Sequence, residues 1–374
     1  MSVVIVGGGL MGLSAAFHLR RADPALAVTV LERARVGSAA SGASAAGVRA
    51  MGRDPAERRL ALKGLGRWLG LDRELEADTG YRRGGGLRVA LDDKAWRAAP
   101  DWAAEQCADG VPLETVDAAS ARRLAPGITP GCLGGVYSSI DGHAGAMATV
   151  EAFAAAARRL GARIEEGVGV KRLVAERGRV VGIERGDGTR QPCAVAILTA
   201  GAWTSSLLAG LGVKLPLHTR PLQMLLTEPG PGALAPVVGC FDRKLSLKQL
   251  DGGAYLIGGG WPARIADHET NRWDVLDDSV KGSLEVAGEV YPALTDCKLA
   301  ESWAGLEAFT RDDLPVIGPV PGVDGVLVAA GFSGHGFALT PVVGDVLARL
   351  ALGRDALEHL WCDLRFDRPA LAGS

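Results

Sequence analysis

The chain has 374 residues, 48% of them apolar and 22% charged, and a formal net charge of −2. That length accommodates two domains with a core each, while the near balance of charge excludes the broad basic field of a nucleic-acid binder or of a protein that coats an anionic membrane. No uninterrupted apolar run is long enough to span a bilayer. The apolar N-terminal stretch is broken by glycines and lacks a basic leader, so it reads as part of the fold rather than as a signal peptide. Six cysteines (Cys107, Cys132, Cys193, Cys240, Cys297 and Cys362) are scattered singly with no C-x-x-C pair. Neither zinc nor an iron–sulfur cluster is expected, and free thiols in a cytoplasmic protein are.

In chain order, Val3-Val4-Ile5-Val6 has the pattern of a buried strand and runs into Gly7-Gly8-Gly9-Leu10-Met11-Gly12. A helix with small residues in its first turn, Leu13-Ser14-Ala15-Ala16, follows, then a second apolar run, Val28-Thr29-Val30-Leu31, ending on Glu32 and Arg33. Strand, G-x-G-x-x-G turn, helix, second strand and terminal acid form the dinucleotide fingerprint in its required setting. Gly7 permits the sharp turn, Gly9 permits close approach of a pyrophosphate, and Gly12 lets the helix pack on the strand. The first-turn N–H groups and the positive end of the helix dipole suit phosphate. Glu32 suits a ribose diol and opposes a 2′-phosphate there; the alternative is a solvated surface acid.

The Ala-rich tract 38–50 comes next. Its Ser38, Ser41 and Ser44 pass the expected pyrophosphate and flavin, although each alone also suits a turn. Helical periodicity covers about 56–75, and 87–91 reads as a strand. An amphipathic helix is expected at 150–160, then strands at 168–174 (with Val170), 179–184 and 195–199. The last enters Ala200-Gly201-Ala202-Trp203, another strand-to-glycine turn. Strands at 224–227 and 254–257 precede a buried-type strand at 326–330, the turn 331–336 and an apolar helix at 337–350. Strand–glycine–helix units therefore stand at the beginning, middle and end of the chain, with antiparallel signals between them. The expected fold class is α/β: a Rossmann-type FAD-binding domain from 1–85, 146–215 and 314–374, with an inserted antiparallel-sheet-plus-helix substrate domain from 86–145 and 216–313. A nicotinamide dehydrogenase more often keeps its dinucleotide domain continuous, so the split favours FAD.

Three spaced motifs carry a family likeness across essentially the whole chain. Gly7–Gly12 with Glu32, then 37–42 with Gly47-Val48-Arg49, resemble the D-amino-acid-oxidase-type flavoproteins, nearest to the sarcosine oxidase beta-subunit and glycine oxidase-like group. Trp303-Ala304-Gly305-Leu306, with Asp312 and 315–319 after it, is similar to that group's late signature, and Gly331-Phe332-Ser333-Gly334-His335-Gly336-Phe337 resembles its flavin-facing turn. The resemblance implies non-covalent FAD and oxidation of a C–N bond in an amino acid or secondary amine (sarcosine-, proline- or opine-like) to an imine that hydrolyses. Hydride passes to flavin N5, the cofactor's own chemistry. A small-molecule substrate is implied, with further subunits of a larger oxidase or dehydrogenase as an open option. A stand-alone D-amino-acid or glycine oxidase is one alternative; a non-catalytic FAD-binding, electron-relay subunit is another.

Departures from the group's pattern sharpen the expectation. The arginine that usually follows Trp-Ala-Gly-Leu and clamps a substrate carboxylate is Glu307 here, and the lysine that usually follows Gly-His-Gly-Phe is Ala338. The position of a flavin-bearing histidine aligns with Ala146, three residues after His143, and neither Cys240 nor Cys297 stands in a matching context for a tether. Arg49 is the expected cation near the flavin, against an ion-paired arginine, with Arg53 second because Asp54 and Glu57 are available to pair with it. The backbone of Gly334–Gly336 is expected to approach the ring, the following helix stabilising negative charge there. His335 is either chemical or packed under the cofactor. Glu307 is a substrate-facing acid or a surface ion pair, and Trp261 a cavity wall or a core residue. Arg220 and Gln223 are minor pocket candidates. The expected catalytic set is thus His335, Arg49 and Glu307; Trp261 joins them in binding substrate, no metal is expected, and whether a catalytic base is used stays open.

Overall fold

A computed structural model describes residues 1–371. The apolar run at the N-terminus forms strand Ser2–Val6 at the middle of a six-stranded sheet. Val195–Leu198 and Ala27–Glu32 flank it in parallel, and Arg163–Glu166, Val326–Ala330 and Val316–Pro319 extend the two sides. Only the outermost pairing, Val316–Pro319 on Val326–Ala330, is antiparallel. The strands beside Ser2–Val6 are buried on both faces, which is why they read as continuous apolar runs rather than alternation. Helices Leu10–Ala22, Ala146–Arg159 and Gly336–Ala351 pack together on one side around Phe17, Phe153, Val342 and Val346. Gly344 meets Leu10–Ala22 so closely that a Cβ there would lie 2.1 Å from Ser14 Oγ.

An eight-stranded sheet forms the second layer. Its long strands His218–Pro229 and Leu299–Phe309 pair at one edge, and Gly86–Ala90, Gly134–Ser138 and Leu113–Asp117 lie at the other. It is largely antiparallel; Val237–Cys240 on Gly86–Ala90 is the parallel pair. Leu87, Leu225, Leu247 and Ile257 bury one face with Tyr255 and Tyr291, covered by helix Asp277–Val290. A short two-stranded contact, Gly47–Val48 with Gly142–His143, ties the segment after the first crossover to the chain entering helix Ala146–Arg159.

The expected helix at 56–75 is two helices, Pro55–Trp68 and Leu71–Leu75. Asp54 caps the first through Ala56 N–H, and Gly70 separates the two. Helix Asp93–Ala108, with Pro100 in its interior and Trp96, Ala99, Trp102 and Ala103 along one face, lies outside the expected elements. The strand expected at 224–227 is the middle of the twelve-residue His218–Pro229, whose outer parts carry arginine, histidine and proline. All six cysteines are free. Among the described residues no helix is long and apolar enough to cross a membrane, and no cluster of three or more metal-ligating side chains occurs.

Candidate active site

The glycine turn after Ser2–Val6 has the geometry its sequence requires. Gly7 has φ +110°, and a Cβ there would lie 2.5 Å from the Thr199 carbonyl oxygen. A Cβ on Gly12 would lie 2.1 Å from the Gly7 carbonyl oxygen, so the helix rests on the turn only because the position is glycine. Glu32 ends its strand with both carboxylate oxygens engaged: Oε2 accepts from Gly8 N–H at 2.7 Å and Oε1 from Ala34 N–H at 2.8 Å. These bonds fix the carboxylate at the cleft rim, and each oxygen retains a lone pair for a ligand hydroxyl.

A cleft of about 690 Å³ runs from Glu32 along the C-terminal ends of the parallel strands, the expected ligand position in an open α/β sheet. Gly7, Gly9, Arg33, Ser38, Ser41, Val170, Ala200, Gly201 and Trp203 also line it. The Arg33 guanidinium lies 3.6 Å over the Trp203 ring. Leu10 N–H donates to Ser41 Oγ at 3.0 Å, so Ser41 takes up one first-turn donor. Among the described residues no other side chain caps that helix, and no acid stands in its first turn, leaving an anion-compatible end. Asn271, on the turn between Arg264–Asp267 and Arg272–Asp274, reaches across to donate to the Ser38 carbonyl oxygen at 3.0 Å. Asn271 lines the same cleft, and its Oδ1 is buried without a hydrogen-bond partner among the described residues. A cradle that excludes Cβ atoms and an acid fixed for a diol fit an adenine dinucleotide.

The cleft continues inward past Gly9, Ser41, Thr199 and Leu306 into a second cavity. Leu10, Met11 and Ser44 line it, opposite Gly331, Gly334, Gly336, Phe337 and Glu307. The turn reaches this place by pairing with the sheet edge: Phe332 bridges Phe309, and Ser333 N–H donates to the Ala308 carbonyl oxygen at 3.0 Å. Gly331 (φ +69°) and Gly334 (φ +80°) supply left-handed turns, and the Cα of Gly334 faces open space. Glu307 is half-buried, and desolvation pushes its carboxyl up to about 7 against a hydrogen bond from the Gly334 backbone.

The other expected residues fall elsewhere. The His335 ring turns away from the inner cavity and meets Glu57, with Nδ1 3.1 Å from Oε2; Glu57 is fully buried. Burial and the Arg53 charge lower the imidazole pKa against this carboxylate. His335 lines a separate cleft of about 430 Å³ with Gly52, Arg53 and Trp102. Arg53 is buried and donates to the Arg49 and His335 carbonyl oxygens. Arg49 is half-buried beside Gly47 and makes no ion pair with a described residue. Val48 is fully buried in the two-stranded contact. The Trp261 ring packs on helix Asp277–Val290, where a Cβ on Gly282 would lie 2.6 Å from it, and Nε1 donates to the Lys244 carbonyl oxygen at 3.0 Å; it lines neither cavity. Arg220 stands opposite Glu307 in the strand register but is exposed, its guanidinium 4.8 Å over Phe309. Gln223 is buried with its side-chain amide unpartnered. Ala338 is fully buried beneath helix Pro55–Trp68. Thr199 and Asn271 line the cleft without having been named as site candidates, Leu306 ends the Trp-Ala-Gly-Leu signature, and Glu57, expected as a partner for Arg53, meets His335 instead.

The crevice at the strand ends thus joins two cavities, with a glycine cradle at one end and an acid beside a glycine turn at the other. A family model described as FAD dependent oxidoreductase matches residues 2–350, and the chain belongs to this family. It is 30% identical to a glycine oxidase of Pseudomonas putida, over 95% of each chain. It is 25% identical to a sarcosine oxidase subunit beta of Rhodobacter capsulatus, over 93% of this chain and 84% of that one. Among solved structures, an L-proline dehydrogenase from P. horikoshii superposes with a TM-score of 0.87 at 25% identity, covering 96% of each chain. The protein is an enzyme that uses FAD, and oxidation of amino acids or amines is its broad activity.

Proposed function

We propose that this chain binds FAD non-covalently and oxidises the C–N bond of an N-substituted or basic amino acid, with Glu307 selecting the substrate. The observation that carries the reading is the half-buried Glu307 carboxyl on the inner cavity, where relatives of this type tend to carry an arginine. In this proposal the chain divides as 1–85, 146–215 and 314–374 around the nucleotide and 86–145 and 216–313 around the substrate. Gly7, Gly9 and the first turn of Leu10–Ala22 receive the pyrophosphate, and Glu32 accepts from the ribose. FAD, when bound, supplies the hydride acceptor, and water hydrolyses the imine released. Gly334 and Gly336 let the backbone approach the ring, and helix Gly336–Ala351, with no acid in its first turn, directs its positive end at the inner cavity. Glu307 holds a cationic or donor group of the substrate and repels a carboxylate. Simple amino acids such as glycine therefore orient poorly.

Steady-state kinetics on a panel of amines tests this. Wild type should prefer N-substituted or basic amino acids over glycine and D-alanine. Glu307→Gln should lower kcat/KM for the preferred substrate by about 10-fold, or ~1.4 kcal/mol of transition-state binding. An unchanged substrate ranking in Glu307→Gln removes the residue from the site. Reoxidation of reduced enzyme by air then separates an oxidase from a dehydrogenase.

A further inference from the structure

The nucleotide cleft has one wall that does not come from the nucleotide segments. Residues 1–85 and 146–215 supply Glu32, Ser38 and Trp203, but Glu269, Thr270 and Asn271 line the same cleft. These three stand at the tip of a two-stranded ribbon, Arg264–Asp267 with Arg272–Asp274, in the part of the chain assigned above to the substrate. The ribbon grows from the eight-stranded sheet: Gln223 N–H donates to the Trp261 carbonyl oxygen and Ala263 N–H to that of Pro221, each at 2.9 Å. That strand, His218–Pro229, pairs directly with the strand that carries Glu307. A single hairpin therefore runs from the sheet of the inner cavity to the nucleotide cleft.

A two-stranded ribbon on its own is marginal in water. This one pairs four residues with three and has a register shift between Ile265 and Asp267. Its tip is fastened to the nucleotide segments. Asn271 Nδ2 donates to the Ser38 carbonyl oxygen at 3.0 Å, and Trp203 Nε1 donates to the His268 carbonyl oxygen at 3.1 Å. The His268 and Trp203 rings lie 5.4 Å apart, and the Arg33 guanidinium lies 3.6 Å over the Trp203 ring. Both fastenings thus fall on residues that line the cleft. Asn271 is left-handed, with φ +55°, a conformation that asparagine and glycine take more readily than other residues. Because its Nδ2 is engaged by a carbonyl, the free end of the amide is the oxygen, and Oδ1 is buried with no partner among the described residues. The fastened tip carries an unmet acceptor, a cost that a donor from a bound nucleotide relieves.

We infer that the tip 268–271 is a clasp over the adenosine half of FAD, so that the substrate segment closes the nucleotide site. The guanidinium plane of Arg33, held on Trp203, suits stacking on adenine, and the tip shuts the cleft around it. The inference rests on the placement of FAD proposed above and is independent of the substrate.

Hydrogen exchange at the tip tests it without any turnover. Exchange is compared by mass spectrometry for the apoprotein, the FAD-loaded protein and the apoprotein with FMN, which lacks the adenosine. FAD should slow exchange at 268–271 at least ~10-fold, and FMN should leave it unchanged. No protection by FAD, or equal protection by FMN, overturns the inference. Asn271→Gly keeps the left-handed backbone and removes the amide. It should speed FAD release, read as recovery of flavin fluorescence on dilution, at least ~5-fold, the effect of one lost hydrogen bond, and leave the apoprotein Tm unchanged. An unchanged release rate also overturns the clasp. If the apoprotein Tm falls with the variant, the exchange comparison in wild type decides alone. Glu32→Ala separates the two readings. If it leaves FAD affinity unchanged, the placement of FAD fails. If it weakens FAD while the wild-type tip gains no protection, the clasp alone fails.

Discussion

The nucleotide cleft and the inner cavity are joined, yet they are built in different ways. At the nucleotide end, Gly7, Gly9, Gly12 and Glu32 come from one stretch of about thirty residues, and what they contribute is mostly backbone geometry. At the inner end, Glu307, Gly334 and Ser44 come from separate parts of the chain, brought together by the edge strand and the returning turn. Both ends rest on glycines that a Cβ would crowd, but the proposed role of the inner end also depends on the charge of Glu307.

The sharpest way to break this contrast is Gly12→Val. A Cβ at Gly12 would already stand 2.1 Å from a backbone oxygen, so the variant should purify without flavin and unfold at lower temperature, overpacking costing about 1–3 kcal/mol or more. Full FAD content would show that the turn is not rigid. Glu32→Ala should weaken FAD binding by ~1.5–3 kcal/mol, the range for a hydrogen bond to a charged group. It also leaves the Gly8 and Ala34 N–H groups without their acceptor. Unchanged affinity, measured by fluorescence titration of released FAD, would move the ribose elsewhere.

Charge at the inner end should show itself through pH. The Glu307 carboxyl is raised to about 7, above its ordinary value of 4.5, so the folded state resists an ionisation that the unfolded chain allows. Its penalty is absent below pH 4.5, grows as pH rises towards 7 and is complete above it. Glu307→Gln should therefore raise Tm relative to wild type at pH 9 more than at pH 5. Wild-type kcat/KM for a basic substrate should rise through a limb near pH 7 that Glu307→Gln lacks. A limb that survives in the variant belongs to another group. The smallest effect is expected at Trp261. Its ring packs on Gly282 away from both cavities, so Trp261→Phe should cost stability and leave kcat/KM within about 2-fold. A larger kinetic loss would put the ring back at the substrate.

How much of this was legible in the sequence follows from the same contrast. The parallel strands and the glycine turns announced themselves because local backbone demands restrict residue type: positive φ at Gly7, Gly331 and Gly334, and a forbidden Cβ at Gly12. Glu307 was legible only as a departure from a resembling motif. The direction of the His335 ring was not, because it depends on Glu57, 278 residues earlier in the chain. Trp261 suits a cavity wall or a core position by sequence alone, and which it takes depends on helix Asp277–Val290, whose Gly282 accepts the ring.

Anaerobic reduction of the bound flavin tests the central claim most directly. The FAD-loaded enzyme is mixed without oxygen with secondary-amine amino acids, basic amino acids, glycine, D-alanine and NADH, and the loss of flavin absorbance is followed. Rapid bleaching by an N-substituted or basic amino acid, with little by glycine or D-alanine and none by NADH, is the expected result. Bleaching by no amine, or fastest bleaching by glycine or D-alanine, would contradict it.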